Sequence, residues 1–597
     1  MFRNPKYFHI CALIFNTCPV KPIQQVFFFE VNHGHTFSFS VENTDQPKKS
    51  FHAPLKKCIT KTMAEINHKV KIKNKEVNMD CEAMYMRIMA VNTRKKIPAK
   101  YVMSFENTSV PAALFKEDGS LLLPKNKAEF LHMLEGLLPA QVSVPTANCI
   151  IFDGHAVMRK LPFPSLNANA TYRTMAEGFV NYITHIAKRH SADEIHIVFD
   201  KYYPYSTKTQ ARMERQNESV HCEDAGGEFH LTLDMRIHTN KEAFFQKTTN
   251  KEQLAHLYFV YLSEQQFNST LKFYISGTTG DKASMIFEQK VSEVAGLASN
   301  QEESDTRMLL HMRYAADNGA KVIITQCEDT DVLVLMINHR VSIPAEELYF
   351  LTGRDGQHTR NSRCIPVHIL HSQLSEPLIK ILLPVYCLSG CDTTSCFFGR
   401  GKRTAFKVAT KHATVLQELS TLGSNMDVPT NKERAACIKF AGLMYGKTNC
   451  QSLNTIRGDL AAKGSAPKKL PPTDDSFNLH VLRCDYQLQI WKQALTPMQE
   501  LPSATNFGWY LPDEGRTLLP KMMTQSCAAP ELLNDIICNC SCVCDDHCPC
   551  ASSQQACTSD CGCGANLPGF DDLEEDTGQS LCMNPNTAFL QVEDDDT

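Results

Sequence analysis

The stretches ANCIIFDGHAVM (147–158), EIHIVFDKYY (194–203) and KVIITQCEDTDVLVLMI (321–337) decide how this chain is read. In each, a run of β-branched and aromatic residues leads into an aspartate: Asp153, Asp200 and Asp329. Such continuous apolar runs read as strands buried on both faces, the mark of a parallel sheet. The third stretch reads as two strand-like runs on either side of an acidic turn. LKFYISG (271–277) reads as a further strand. Helical patterns separate these runs, over Thr174 to Arg189, Glu252 to Gln265 and Ser304 to Asn318. Strands alternating with helices predict an α/β fold, a mostly parallel sheet flanked by helices. Ligands of such a sheet sit beyond the carboxyl ends of its strands.

Four more acids follow the same order along the chain: Glu303 and Asp305 in EESDT, Asp331 in EDTDVL, and Asp392 in LSGCD. Several carboxylates held together stay ionised only beside cations, and hard divalent ions such as Mg²⁺ or Mn²⁺ prefer oxygen ligands. Two pairs spaced two apart, Glu303 with Asp305 and Asp329 with Asp331, can hold two such ions. Any one of these acids alone would read as a helix cap or a solvated loop residue. As an ordered set of seven they read as a catalytic metal centre.

Working outward, the 597 residues are too many for one compact core. Residues 1–80 carry lysine-rich and aromatic stretches without a steady period and are expected to be poorly ordered. Residues 81–145 form an accessory region with a turn at Asp118-Gly119 and a helix after it. Residues 146–410 make the α/β domain, and 411–526 are mainly helical. Within them, Leu378 to Leu388 is a helix that Pro384 could kink, and SAPKKLPPTDDS (465–476) is a proline-rich linker or loop. Residues 527–565 are cysteine-rich, and 566–597 form an acidic tail expected to be disordered. With 43% hydrophobic and 21% charged residues and a net charge of −4, no global basic field announces nucleic acid. No apolar run is long enough to span a bilayer. The apolar stretch from Ile10 to Phe15, after Arg3 and Lys6, makes a signal peptide conceivable, but it is short for such a core and no clear small-residue cleavage site follows, so a leader is not the expected reading.

The acids, in their contexts, resemble the PIN-like superfamily of flap-endonuclease-type nucleases over residues 146–410. IIFDG and VFDK match the family's first two strand ends, Glu303-Ser304-Asp305 its E-x-E helix, and Asp329-Thr330-Asp331 its D-x-D strand end. YYPYSTKTQARMERQ (202–216) stands where the family has a basic arch. SGCDTTSCFFGRGKRTAFKVA (389–409) is similar to its G-S/C-D and glycine-hairpin segment. The resemblance implies a nuclease acting on DNA or RNA with two Mg²⁺ or Mn²⁺ ions. Asp153, Asp200, Glu303, Asp305, Asp329, Asp331 and Asp392 would be its catalytic acids. Lys208, Arg212 and Arg215 would contact the phosphate or the strand. Gly399 and Gly401 would present backbone amides to a phosphate, with Lys402 and Arg403 adding charge. A basic helical face is also commonly just solvated. Tyr202 and Tyr203 could stack on a base or simply pack. The chain departs from the family at Lys201, where a glycine is usual, and at Thr393, where an aromatic is usual. The whole chain also resembles a group of transposon-associated animal proteins that share the sequence around GWYLPDEG (508–515). The alternative to an enzyme is a silent scaffold of this fold that binds nucleic acid or protein, or serves an accessory transposon step.

Nine of the 25 cysteines fall between Cys538 and Cys563: Cys538, Cys540, Cys542, Cys544, Cys548, Cys550, Cys557, Cys561 and Cys563. Cysteines two apart cannot easily pair with each other but can share thiolates between metals. Tetrahedral zinc is the natural fit, and a disulfide knot is the alternative. The other cysteines read as buried or incidental thiols. The segment resembles one half of the tesmin-like cysteine-rich (CXC) domain, which implies about three zinc ions. His547 stands where that domain carries a tyrosine, and the segment is acidic. A structural or protein-binding role therefore suits it at least as well as DNA contact. A nuclear location suits both modules better than a cytoplasmic one.

Overall fold

The run CIIFD alternates its side chains between two apolar layers, which is why no polar residue interrupts it. In the computed structural model Cys149–Asp153 is a strand (β5). Ile150 and Phe152 join the core on one face of the sheet, and Cys149 and Ile151 the core on the other. The structure describes residues 27–31, 37–41, 69–72, 75–78, 81–139, 145–161, 170–203, 205–209, 211–212, 230–238, 241–267, 270–353, 363–512, 517–541, 544, 547–558 and 560–563. The acidic tail after 565, Arg215, Cys542 and most of the region expected to be poorly ordered lie outside them.

The chain divides into two compact units, Met1–Met63 and Ala64–Thr597. In the first, Phe27–Val31 (β1) and Phe37–Val41 (β2) form an antiparallel hairpin with Phe29 opposite Phe39. In the second, Lys69–Ile72 (β3) and Lys75–Asn78 (β4) form another hairpin. The main sheet of the second unit has eight strands. Besides β5 they are Glu194–Val198 (β6), Lys272–Thr279 (β7), Lys282–Phe287 (β8), Lys290–Glu293 (β9), Val322–Gln326 (β10), Glu347–Thr352 (β11) and Arg363–Pro366 (β12). Their order is β12-β11-β10-β5-β6-β7-β8-β9. The five from β11 to β7 run parallel, and the outer strands are antiparallel to their neighbours. The expected α/β class is therefore observed.

β5 lies between β6 and β10, so the chain leaves it to one side first and to the other later. That makes the gap beyond β5 and β10 a switch point, where an open α/β sheet leaves a crevice. Helices Tyr172–Arg189 and Thr248–Glu264 cover one face. Ser304–Asp317, Thr330–His339 and Glu376–Leu388 cover the other. Pro384 lies inside the last of these, fully within the helix.

One expectation is corrected. The run after the acidic turn, VLVLMI, is helical, not a strand. Every residue from Thr330 to Ile337 is buried, and a helix wrapped in core on all sides is apolar all round. The Asp329 side chain starts it by accepting from the Asp331 amide at 2.9 Å.

The 465–476 segment is a packed loop. Leu470 is fully buried, and Thr473 caps the helix Asp474–Lys492. Beneath it, the guanidinium of Arg457 faces Glu106 at 3.2 Å, both almost fully buried. Arg457 also donates to the carbonyls of Pro471, Phe105 and Glu106, while Glu106 accepts from Thr473. This pair ties the segment after Cys81–Lys95 to the C-terminal helices. Removing one partner strands the other's charge in the interior. Arg457→Ala is expected to lower unfolding free energy by about 3–5 kcal/mol, read from chemical denaturation of the whole chain.

Candidate metal centre

Each acid is placed by an element end. Asp153 closes β5 and caps the helix Gly154–Lys160, its Oδ1 accepting from Ala156 at 3.0 Å. Gly154 follows because a Cβ there would meet the Phe199 ring at 2.3 Å. Asp200 lies just past β6, and its carboxylate accepts from the Ser304 amide at 2.8 Å. That bond fixes the start of the helix carrying Glu303 at its cap and Asp305 in its first turn. Asp329 caps the next inner helix, with Asp331 in its first turn. Asp392 lies in the turn after Glu376–Leu388, where Gly390 takes φ +101° and a Cβ would collide with Cys396. Carboxylates at helix N-termini gain from the helix dipole as well as the amides.

Two lysines pin these acids together. The ammonium of Lys208 is 2.6 Å from Glu303, 3.8 Å from Asp305 and 3.9 Å from Asp392. That of Lys127 is 2.7 Å from Asp392, 3.0 Å from Asp331 and 3.9 Å from Asp329. Lys127 and Tyr386, whose hydroxyl donates to Asp331 at 2.5 Å, were not singled out by the sequence. Lys127 has no acid of the set near it in the chain, and Tyr386, though close to Asp392, sits in an apolar helix where an aromatic residue reads as packing.

The other basic residues are placed differently. Arg212 pairs with Glu302 at 2.6 Å and lies over the Tyr202 ring. The Tyr203 hydroxyl donates to Asp281. Lys402 lies deeper than its neighbours at the glycine turn. It points inward, with its ammonium on the Tyr386 carbonyl and 3.3 Å from the centre of the Tyr386 ring. Gly399 (φ +70°) and Gly401 make that turn with open space around both, and Arg403 beside them is exposed.

Burial, reinforced by the charge of Asp200, pushes Asp153 up to about 7. Burial lifts Glu303 to about 6 against the pull of Lys208. Burial and the Asp331 charge lift Asp329 to about 6, and burial with the Asp329 charge holds Asp305 well above the usual range. Burial also opposes a charge on Asp331, but Lys127 and the Tyr386 hydroxyl hold it below that range. At Asp200 burial is overcome by the His155 ring, the Ser304 amide and the cations Lys208 and Arg212, which together pull it well down. His155 is itself pushed down to about 4 by burial, and its Nδ1 accepts from the Asp200 amide at 3.1 Å. The ring is therefore neutral near pH 7, and the amide and the cations hold Asp200.

One oxygen from each of Asp305, Asp329 and Asp331 lies within 4.8 Å of the others, a spacing and donor chemistry that fit a hard divalent ion. The cysteine-rich segment offers a second kind of site. Its described cysteines are unpaired by disulfides, and sulfur–sulfur distances run from 3.4 Å (Cys544 to Cys557) to 4.0 Å (Cys538 to Cys544). Three four-cysteine groups share Cys538. Burial works against a Cys538 thiolate, yet the amides of Cys540 and Cys563 pull it down to about 7. This all-sulfur set fits zinc. The segment packs against the helix Cys81–Lys95, where Arg87 donates to the carbonyls of Ile536 and Ala556.

No protein-family model matches the chain, and no curated protein does. Among solved structures it is similar to the T5 D15 protein co-crystallized with metal ions, with 10% identity, 58% of this chain and 97% of that chain covered, and a TM-score of 0.28. It is similar to the bacteriophage T5 D15 flap endonuclease in a pseudo-enzyme–product complex with DNA and metal ions, with 13% identity, 58% and 98% coverage and a TM-score of 0.26. The catalytic core of Rad2 in complex with DNA substrate gives 10% identity, 57% and 96% coverage and a TM-score of 0.27. Agreement at this level assigns neither a family nor an activity. Among the described residues no helix is long and apolar enough to cross a membrane.

Because Asp153, Glu303 and Asp329 are raised, the folded chain keeps protons that the unfolded chain releases near pH 4. Stability from this source is full below about pH 4 and is lost as pH rises through about 6 to 7. Buried histidines such as His155 and His480 are pushed down to about 4 and about 3 and act in the opposite sense, so the acids are read by difference: the melting temperature of the chain minus that of Asp153→Asn with Glu303→Gln and Asp329→Asn, without added Mg²⁺ or Mn²⁺, should fall between about pH 5.5 and 7.5. Added Mn²⁺ should restore it most at the upper end, where it competes with the fewest protons.

Proposed function

We propose that the chain is a metal-dependent nuclease that hydrolyses phosphodiester bonds in DNA or RNA. The observation that carries this reading is the convergence of acids at strand ends and helix starts around the switch point, with Asp305, Asp329 and Asp331 close enough to share an ion. Two Mg²⁺ or Mn²⁺ ions would supply Lewis acidity for attack by water and for departure of the leaving oxygen. Asp305, Asp329 and Asp331 would hold them, with Asp153, Glu303 and Asp392 alongside. Asp200 acts on position, because it anchors the Ser304 amide and so the first turn that presents Asp305. Lys208 and Lys127 balance the carboxylates and can turn their ammonium groups to the non-bridging oxygens of a phosphate once ions arrive. The glycine turn at Gly399 and Gly401, with Arg403, would take a more distant phosphate through its amides. The cysteine-rich segment would hold about three zinc ions as a CXC-like module for structure or for a protein partner. A nuclear location and descent from a transposon protein complete the reading.

A second reading, a silent scaffold of the same fold that binds nucleic acid or protein, is favoured by one observation. The two lysines already neutralise much of the acid cluster without any metal. Cleavage of flap, single-stranded and duplex substrates with Mg²⁺ or Mn²⁺ separates the two. Asp329→Ala with Asp331→Ala should lower the rate by at least roughly 100-fold, the lower end for removing a partner of transition-state charge. No cutting of any substrate with either ion leaves only the scaffold. Lys127→Met should lower the Mn²⁺ concentration needed for half-saturation, because the ion no longer competes with an ammonium for Asp331 and Asp392.

A further inference from the structure

At the opposite end of β5 and β6 from the acids lies a second polar cluster, in a part of the sheet that the proposed reaction does not use. Cys149 opens β5, and Glu194 opens β6 directly opposite it in register. His196, two residues further on, faces the same side of the sheet. The Cys149 sulfur, a Glu194 carboxylate oxygen and a His196 ring nitrogen lie within 4.8 Å of one another.

The histidine is the telling member. It is fully buried, and its Nε2 has no hydrogen-bond partner. That nitrogen lies 3.9 Å from Glu194 Oε2, too far for a hydrogen bond. The other Glu194 oxygen is taken by Lys272 at 3.2 Å, so Oε2 is left facing the ring. On its far side the ring is held firmly: His196 Nδ1 is 2.8 Å from His311 Nδ1, and His311 Nε2 is 2.9 Å from Ser276 Oγ. Tyr274 stacks on the ring at 4.4 Å between centres. A buried imidazole oriented through its second nitrogen, with the first aimed at a thiol and a carboxylate, is the usual arrangement of a metal-ligating histidine.

We propose that Cys149, Glu194 and His196 form a zinc site separate from both the carboxylate centre and the cysteine-rich segment. One sulfur, one nitrogen and one oxygen are the mixed donor set that zinc accepts. Tetrahedral bonds of about 2.0–2.3 Å place ligand atoms roughly 3.3–3.7 Å apart, so the observed spacing needs only a small inward shift. A thiolate and a carboxylate together match the two positive charges of the ion. On binding, the thiol proton leaves to solvent and the Cys149 sulfur bonds the ion. The lone pair of His196 Nε2 goes to the ion. His196 Nδ1–H then donates to His311 Nδ1, and His311 Nε2–H donates to Ser276 Oγ. The Glu194 side chain keeps 14% exposure, which leaves a route in from the sheet edge. In this site the zinc would clamp two neighbouring central strands at their start, far from any reacting phosphate.

The test is X-ray anomalous scattering at the zinc edge from crystals of the whole chain grown with zinc chloride. A peak within about 2.5 Å of all three ligand atoms is expected. Zinc found only at the cysteine-rich segment, or nowhere, would overturn the proposal. Zinc counted on the whole chain in solution supplies a second reading. The count should fall by one ion per chain in His196→Gln, while Lys272→Met, which touches only the outer oxygen of Glu194, should keep it. An unchanged count in a folded His196→Gln would equally overturn it. If that variant does not fold, the wild-type crystal decides.

Discussion

Carboxylates gathered out of water repel one another, and each resists ionising there. Unit charges 4 Å apart interact by about 4 kcal/mol at an effective dielectric near 20. This chain sets seven acids around one crevice, and three of them sit at pKa values of about 6 to 7 for that reason. The arrangement is tenable only where positive charge is supplied. Without an ion, Lys127 and Lys208 supply part of it, along with the amides of Ala156, Ser304 and Asp331. Divalent cations can supply the rest. The proposed chemistry is the use of that same imbalance.

The fold meets this constraint through topology. β5 has β6 on one side and β10 on the other, so three strand ends open on one crevice. The two inner helices begin at that crevice and offer their unsatisfied amides to the acids that cap them. Lys127 comes from outside the sheet, on the segment that starts the helix Ala128–Glu135. Its ion pairs with Asp331 and Asp392 make the accessory region part of the centre and not merely an attachment to it.

Much of this was legible in the sequence because strands buried on both faces leave an unbroken apolar run, and an aspartate ending such a run stands out. The parallel sheet and its helices follow from that pattern. The run from Val332 to Ile337 misled, since a helix in contact with core on every side shows no period to separate it from a strand. The direction of Lys402 was not legible either, because a charge next to a glycine turn can point either way, and here the Tyr386 carbonyl and ring draw it inward. Lys127 was not legible at all. It lies 204 residues from Asp331, and only the folded chain brings the two together.

The central claim is that the crevice at β5, β6 and β10 exists to hold divalent cations. Anomalous diffraction at the manganese edge, from crystals of the whole chain grown with MnCl₂, tests it most directly. The account predicts strong peaks coordinated by Asp305, Asp329 and Asp331, with the Lys127 ammonium moved away from Asp331. Lysines still seated on the acids, with no manganese among them at saturating concentration, would contradict it.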